Sequence, residues 1–486
     1  MAVMKYYSCS FVERPDLYIS GVTHEGKIFL APCCEPLQGV PGLAVDASSE
    51  DILDKYFLFL EEVREESRRF SLECTEHEVR RHTDACTRCA HYVYDEYDEA
   101  CSQLATVTIG VYPAPCQCKC FYCVAKQNIG MPSDDVIEIF DKLFDSLEHM
   151  VKIGRISFDA MWSFTSGEFS IHPLKDRFLD ITKGLLVVHY TNCFHYCEKL
   201  AKRLAENPRA FINLSIDAGT PETWYKVKGV NNFGAVVKNL EQYASYAREG
   251  QIGFKYIILP GVNDNFADFS GVVELMKALG TGNLLLSREH DTKHKSVDDD
   301  SNKELIDAAS IFAALLYKNN FQIMLQPHYT EEETIKICHN ANVILTDGEA
   351  ARSFLTDKDG HISRESSDFL QNILLNWIKD KLNALLKSTI PTKQKLSEIL
   401  KIFTNEHALM LIGYDGLESE KEHLGNFVMT WLLSQSYDVK INIEILSAIY
   451  SGKENLAAAL EEAGRNCITP GKKEKIDKHR KYLLLG

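Results

Sequence analysis

From residue 104 onwards, hydrophobic positions fall into two alternating rhythms. Short apolar runs come first: "LATVTIGVY", "RISFDAMWSF", "LLVVHYT", "AFINLSID", "IGFKYIIL", "GNLLLSRE" and "FQIMLQ". They are rich in the β-branched and aromatic residues that suit strands. Between them lie longer stretches with helical spacing: "SDDVIEIFDKLFDSLEHM", a segment after Pro173, "FHYCEKLAKRLAEN", "FGAVVKNLEQYASYAREG", "DFSGVVELMKALG" and "NKELIDAASIFAALLYKNN". Ser133 is placed to cap the first of these helices. Strand and helix in turn predict parallel βαβ units. Six or so in succession predict an α/β chain with a partial (β/α)6 barrel over residues 104–345, whose chemistry belongs at the C-terminal ends of its strands.

The flanks read differently. Residues 1–103 predict a small, loop-rich, cysteine-rich α+β module. "DLYISGV", "HEGKIFLAP" and "HYVYDEY" suit short strands or turns, and "SSEDILDKYFLFLEEVREESRRF" suits a helix capped by Ser49 and Asp51. Residues 365–486 predict a mostly helical domain. "SSDFLQNILLNWIKDKLNALLK" is an amphipathic helix and "HALMLIGYDG" a strand and turn. This region carries no chemical motif and reads as a packing or partner-binding domain.

Composition narrows the class. The 486 residues are 45% hydrophobic and 25% charged, as in an ordinary globular protein. No apolar run approaches the ~20 residues of a membrane span, and the first residues lack the apolar centre of a signal peptide. A cytoplasmic location is therefore expected. A net charge of −16 argues against a broad nucleic-acid surface. The basic run "GKKEKIDKHRKY" reads as a solvated tail. Fifteen cysteines are many, and eleven of them fall between Cys9 and Cys123. Such clustering in a reducing compartment points to metal or iron–sulfur ligation rather than disulfides.

The densest cluster is "CQCKCFYC", in the loop after the first barrel strand. Cys116, Cys120 and Cys123 have the spacing C-x3-C-x2-C. Three thiolates hold a [4Fe–4S] cube by three irons and leave the fourth open to a small molecule. A zinc knuckle is the plainer alternative. With Tyr122 before the last cysteine, this loop resembles that of the radical S-adenosylmethionine (SAM) enzymes. The resemblance implies that the open iron binds the amino and carboxylate groups of SAM. It also implies reductive cleavage of SAM to a 5′-deoxyadenosyl radical, which abstracts hydrogen from a substrate. Cys118 falls outside the spacing and is not expected to be a ligand.

Other strand ends extend the resemblance, which covers about residues 104–330. "TSGE" after the second strand is similar to the family's Gly-Gly-Glu-Pro motif, with Ser166 for the first glycine and Phe169 for the proline. It implies that Ser166, Gly167 and Glu168 lie at the SAM site, Glu168 pairing with the ammonium. After the fourth strand, Ser215 and Asp217 match positions that contact the ribose and methionine parts of SAM. Lys228 stands where relatives often carry arginine. The segment "YIILPGVND" resembles the one whose backbone meets adenine, which implicates Leu259.

The N-terminal cysteines resemble a SPASM or twitch module, which binds an auxiliary [4Fe–4S] cluster. The resemblance implies Cys9, Cys33, Cys86 and Cys89 as ligands, with Cys34 in competition with Cys33 and Cys74 as a spare. Here the module precedes the barrel, whereas in most relatives it follows. A structural zinc site using the same thiols is the alternative. Cys193 and Cys197 are i, i+4 on a predicted helix and read as packing thiols. Cys338 and Cys467 are isolated. His172, His189 and His328 lie near predicted strand ends, either at the pocket or as structural histidines.

Two classes of function follow. One is a radical SAM enzyme acting on a peptide, a protein or a small metabolite, or on a sugar or nucleotide-linked substrate, with a flavodoxin- or ferredoxin-type protein as reductant. The other is a non-catalytic iron–sulfur protein that carries electrons or senses redox state. An ordinary methyltransferase would want a glycine-rich loop after its first strand, not a cysteine triad.

Overall fold

The computed structural model describes residues 4–13, 16–21, 28–32, 42–45, 51–73, 92–97, 103–123, 125–289, 300–325, 328–356, 453–466 and 470–485, with scattered residues from 362 to 384. They form two compact units. One comprises residues 1–305 and 315–334, the other 306–314 and 335–486.

The first unit is built on one sheet. Its strands are β2 (Asp16–Gly21), β3 (Ile28–Ala31), β4 (Leu43–Val45), β6 (Leu104–Val111), β7 (Ile156–Phe164), β8 (Leu186–Thr191), β9 (Ala210–Ser215), β10 (Ile252–Ile258), β11 (Asn283–Arg288) and β12 (Gln322–Met324). The order is β12-β11-β10-β9-β8-β7-β6-β2-β3-β4. Strands β6 to β12 pair in parallel, each with the next in sequence. This is the partial α/β barrel that the alternating pattern predicts. Parallel β2 and antiparallel β3 and β4 continue the sheet beyond β6. Part of the N-terminal region is thus built into the main sheet. The remainder pairs β1 (Met4–Cys9) with β5 (Tyr92–Tyr97), next to the helix Ile52–Glu73.

Residue alternation decides which face each side chain takes. In β10, Ile252, Phe254, Tyr256 and Ile258 are buried on one face. Gly253, Lys255 and Ile257 fall on the other and are half-buried. The crossover helices carry legible caps. Ser133 accepts the Val136 N–H at 3.4 Å, as expected. Helix Pro221–Lys228, which the apolar pattern does not predict, starts at a Thr220 cap with proline in its first turn and ends at Gly229 with φ 68°.

Two expectations need correction. The helix expected from residue 194 begins only at Glu198. Cys193 has φ 53°, and Cys197 is the N-cap. The two thiols therefore do not share a helical face. The Asn239 amide holds the Cys193 and Phe194 carbonyls, each at 2.9 Å, and keeps the turn open. The basic run expected as a solvated tail is instead the helix Pro470–Leu485, with His479 and Ile476 buried. In the second unit this helix contacts the helix Lys453–Asn466, and Arg480 pairs with Glu461 at 3.6 Å. The segment "HALMLIGYDG" lies outside the described residues. No helix among those described is long and apolar enough to cross a membrane.

Candidate active site

Residues 112–123 leave β6 at its C-terminal end and cross the top of the sheet. Ala114 bridges Ile129, and Gly130 donates to the Ala114 carbonyl at 3.0 Å, which closes the loop at its base. Lys119 donates its N–H to the Lys228 carbonyl at 2.7 Å, which ties the middle of the loop to helix Pro221–Lys228. Cys116, Cys120 and Cys123 are half-buried, and Cys118 is buried. Interaction with the Cys118 thiol lowers Cys116 and brings Cys120 down to about 6, while Cys118 itself is pushed up. Burial raises Cys123. Among the described residues, no three His, Cys, Asp or Glu side chains gather as they would around one metal ion.

The turn after β7 packs against this loop. Gly167 has φ 56°, and a Cβ there would stand 2.5 Å from the Pro115 carbonyl oxygen and 2.8 Å from the Ala114 Cβ. Only glycine allows that backbone bend and that approach together. Ser166 accepts the Val111 N–H at the end of β6. Glu168 is fully buried. It accepts from the Ser170 N–H (3.0 Å), the Ser170 hydroxyl (2.6 Å), the Thr191 hydroxyl (2.5 Å) and the Asn192 N–H (2.7 Å). Its carboxylate is thus committed inside the protein, and Gly167 rather than Glu168 lines the cavity beside the loop.

The end of β9 is arranged similarly. Asp217 is fully buried with φ 46°. Its carboxylate accepts from the Ile257 N–H at 2.7 Å, the Tyr122 hydroxyl at 2.5 Å and the Lys228 ammonium. Lys228 also reaches the Tyr122 oxygen at 2.9 Å. Burial alone would lower Lys228, but Asp217 and Cys120 outweigh it and hold the ammonium above the ordinary lysine range. Burial and Asp217 push Tyr122 well above an ordinary phenol, so its hydroxyl stays a donor. Asn263 donates to the Asp217 and Ile257 carbonyls at 2.9 and 2.8 Å and accepts the Leu259 N–H at 2.7 Å. Leu259 is therefore turned into this network, and Ile257 lines the cavity in its place.

The cavity has a volume of about 570 Å³. The cysteine loop, Tyr122, Gly167, Ser215 and Lys228 bound one end. Lys255, Leu285, Ser287, Arg288, Glu289 and His328 bound the other. Arg288 is buried, donating to Glu333 at 2.7 Å and to Asn302 at 2.8 Å. Glu333 is lowered: burial would raise it, but the Thr330 amide and Arg288 outweigh that. Sequence reasoning missed Asn192, Lys255 and Arg288. Each lies on a predicted strand or directly after one, which is the signal that would have found them. His328 reaches the cavity, whereas His172 and His189 are buried among Phe164, Phe169 and Phe178. In the N-terminal set, Cys9 ends β1 and is half-buried. Cys33, Cys86 and Cys89, with Cys34 and Cys74, lie outside the described residues.

No family model and no curated protein matches this chain. It is similar to the solved structure of Streptococcus suis SuiB bound to precursor peptide SuiA, at 11% identity and TM-score 0.36 over 68% of this chain and 75% of that one. It is similar to native anSMEcpe with bound AdoMet and Cp18Cys peptide, at 16% and 0.35 over 45% and 63%. A radical SAM methyltransferase from Sphaerobacter thermophilus is similar at 15% and 0.33 over 47% and 67%. Likenesses this slight leave the chemistry of the site to be read from its own residues.

Proposed function

We propose that this chain is a radical SAM enzyme acting on a peptide, a protein or a small metabolite. One observation carries the reading. Cys116, Cys120 and Cys123 share one loop at the C-terminal edge of a parallel sheet, beside a cavity of about 570 Å³. That volume is of the size that holds a cofactor with part of a substrate. The donor set fits a [4Fe–4S] cluster with one open iron: three thiols at C-x3-C-x2-C spacing, with no fourth ligand called for.

Bound together, the cluster and SAM would supply the 5′-deoxyadenosyl radical that takes a hydrogen atom from the substrate. Cys116, Cys120 and Cys123 would hold the cluster. Lys228 keeps a positive charge on the cavity wall, suited to a carboxylate. Ser215 offers a hydroxyl there and Ile257 an apolar face. Tyr190 and Leu285 help keep water from the centre. Glu168 and Asp217 act one layer back. Glu168 fixes Thr191 and Asn192, and Asp217 fixes Lys228 and Tyr122.

An auxiliary [4Fe–4S] cluster at Cys9, Cys33, Cys86 and Cys89 belongs to the same proposal, with Cys34 in competition with Cys33. So does a flavodoxin- or ferredoxin-type reductant. The test uses anaerobically reconstituted protein, reduced and given SAM, with 5′-deoxyadenosine counted. Wild type should release it, and a Cys116→Ala, Cys120→Ala, Cys123→Ala variant should not. Iron falling from about eight to about four in that variant would mark two cubes, and from about four to none a single one. A loaded cluster that yields no 5′-deoxyadenosine with any of several reductants would overturn the proposal and leave an electron carrier or redox sensor.

A further inference from the structure

Asn192, directly after β8, is built into both halves of the site. Its N–H donates to Glu168 at 2.7 Å. Its side-chain oxygen accepts from the Gln117 amide and from the Phe194 N–H, each at 3.0 Å. A peptide N–H can only donate, so the Phe194 contact decides which end of the Asn192 amide is the oxygen. The NH2 end must then face the cysteine loop. It lies 3.3 Å from the Cys118 sulfur and 3.9 Å from the Cys116 sulfur. Cys118 is buried.

We propose that Asn192 is a positioning residue that donates N–H···S hydrogen bonds to the Cys116 side of the loop and raises the reduction potential of a cluster held there. The inference rests on the reading of Cys116, Cys120 and Cys123 as cluster ligands. Reduction adds one electron, and part of that charge spreads onto the ligand sulfurs. The Asn192 NH2 stands between the non-ligand Cys118 sulfur at 3.3 Å and the ligand Cys116 sulfur at 3.9 Å, and its dipole, turned on Cys116, stabilises the reduced state more than the oxidised one. The amide has been oriented in advance by Gln117 and Phe194, so little reorganisation accompanies the added charge. The Glu168 carboxylate anchors the backbone of the same residue. The turn after β7 thereby holds the donor in register with the cysteine loop.

The experiment is a redox titration of anaerobically reconstituted protein, with the reduced cluster followed by electron paramagnetic resonance. Asn192→Leu keeps the bulk and removes the donor, so its midpoint should move to a more negative potential. Asn192→Asp puts a carboxylate oxygen where the NH2 stood and should move it further the same way. Equal midpoints in all three proteins, or a positive shift in Asn192→Leu, would overturn the inference. A general disturbance of the loop would not produce the order wild type, Leu, Asp. If either variant fails to hold iron, pulsed resonance on wild type grown with 15N-asparagine decides instead. A nitrogen coupling from the side-chain amide is expected, and its absence overturns the proposal. Wild type that takes up no cluster at all would sink the proposed function itself, an outcome distinct from these.

Discussion

The turn after β7 and the end of β9 each bury a carboxylate, and each satisfies it differently. Asp217 meets a cation, Lys228, with Tyr122 and the Ile257 amide completing its shell. Among the described residues Glu168 has four donors, all neutral: two N–H groups and two hydroxyls. Behind the Glu168 turn, His172 and His189 show a third solution, burial without charge. Both are lowered far enough to stay neutral. Charge pairing leaves a second buried ion behind if one partner is lost. Hydrogen bonding leaves only unpaired dipoles, and those are cheaper.

The largest effect should come from the pair. Asp217→Ala leaves the Lys228 ammonium buried without its counter-charge, and should destabilise the chain by about 3–5 kcal/mol. The check is a lower urea midpoint at unchanged slope. Asp217→Leu with Lys228→Met removes both ions and should recover most of that loss. A double variant as unstable as Asp217→Ala would break the distinction between the two strand ends.

At the β7 end the losses should be smaller. Glu168→Gln turns an NH2 towards N–H and hydroxyl groups that had met an acceptor, so donor faces donor, for about 1–3 kcal/mol by the same urea measurement. A loss matching Asp217→Ala would show that neutral donors had not been enough. Gly167→Ala forces a Cβ against Pro115 and Ala114 at a positive φ, again for about 1–3 kcal/mol. Because the collision is with the cysteine loop, iron uptake should fall with it. Full uptake would detach the β7 turn from the loop.

The third solution is tested by the acid response of the histidines. Burial lowers His172 from 6.5 to about 4 and His189 from 6.5 to about 3, with Lys175 and Arg203 adding to it in turn. The folded value lies below the unfolded one in each case. Their contribution to stability is therefore complete above about pH 6.5 and drains away as pH falls below it. Urea midpoints at pH 7.5 and pH 5 should differ in that sense. His189→Phe should shrink the difference, since neither His189 ring nitrogen has a hydrogen-bond partner among the described residues. An unchanged slope with pH would mean that His189 is not carried neutral.

Local features were the legible ones. The strands were readable because β10 alternates Phe254 and Tyr256, buried, with Lys255 and Ile257 facing the cavity. The cysteine loop was readable because Cys116, Cys120 and Cys123 are close in sequence. Glu168 and Asp217 were found by position, but not their commitment. Of the donors that claim them, Ser170 and Lys228 are near in sequence, but Thr191, Asn192, Ile257 and Tyr122 come from other strands or the loops after them and are 23 to 95 residues away. The helix start after Cys193 was misplaced because apolar spacing is blind to a left-handed turn held by Asn239.

By itself, then, the sequence determined the parallel α/β sheet and the strand end on which the thiols stand. Both depend on periodicity and spacing, which a chain carries along its length. Only the tertiary structure decided which polar groups face the cavity and which are consumed beneath it. That choice depends on partners from distant strands meeting at one edge of the sheet. Asn192 illustrates it: the sequence marks only its place directly after a strand, and its role follows from Phe194, Gln117, Glu168 and two cysteine sulfurs arriving at one amide.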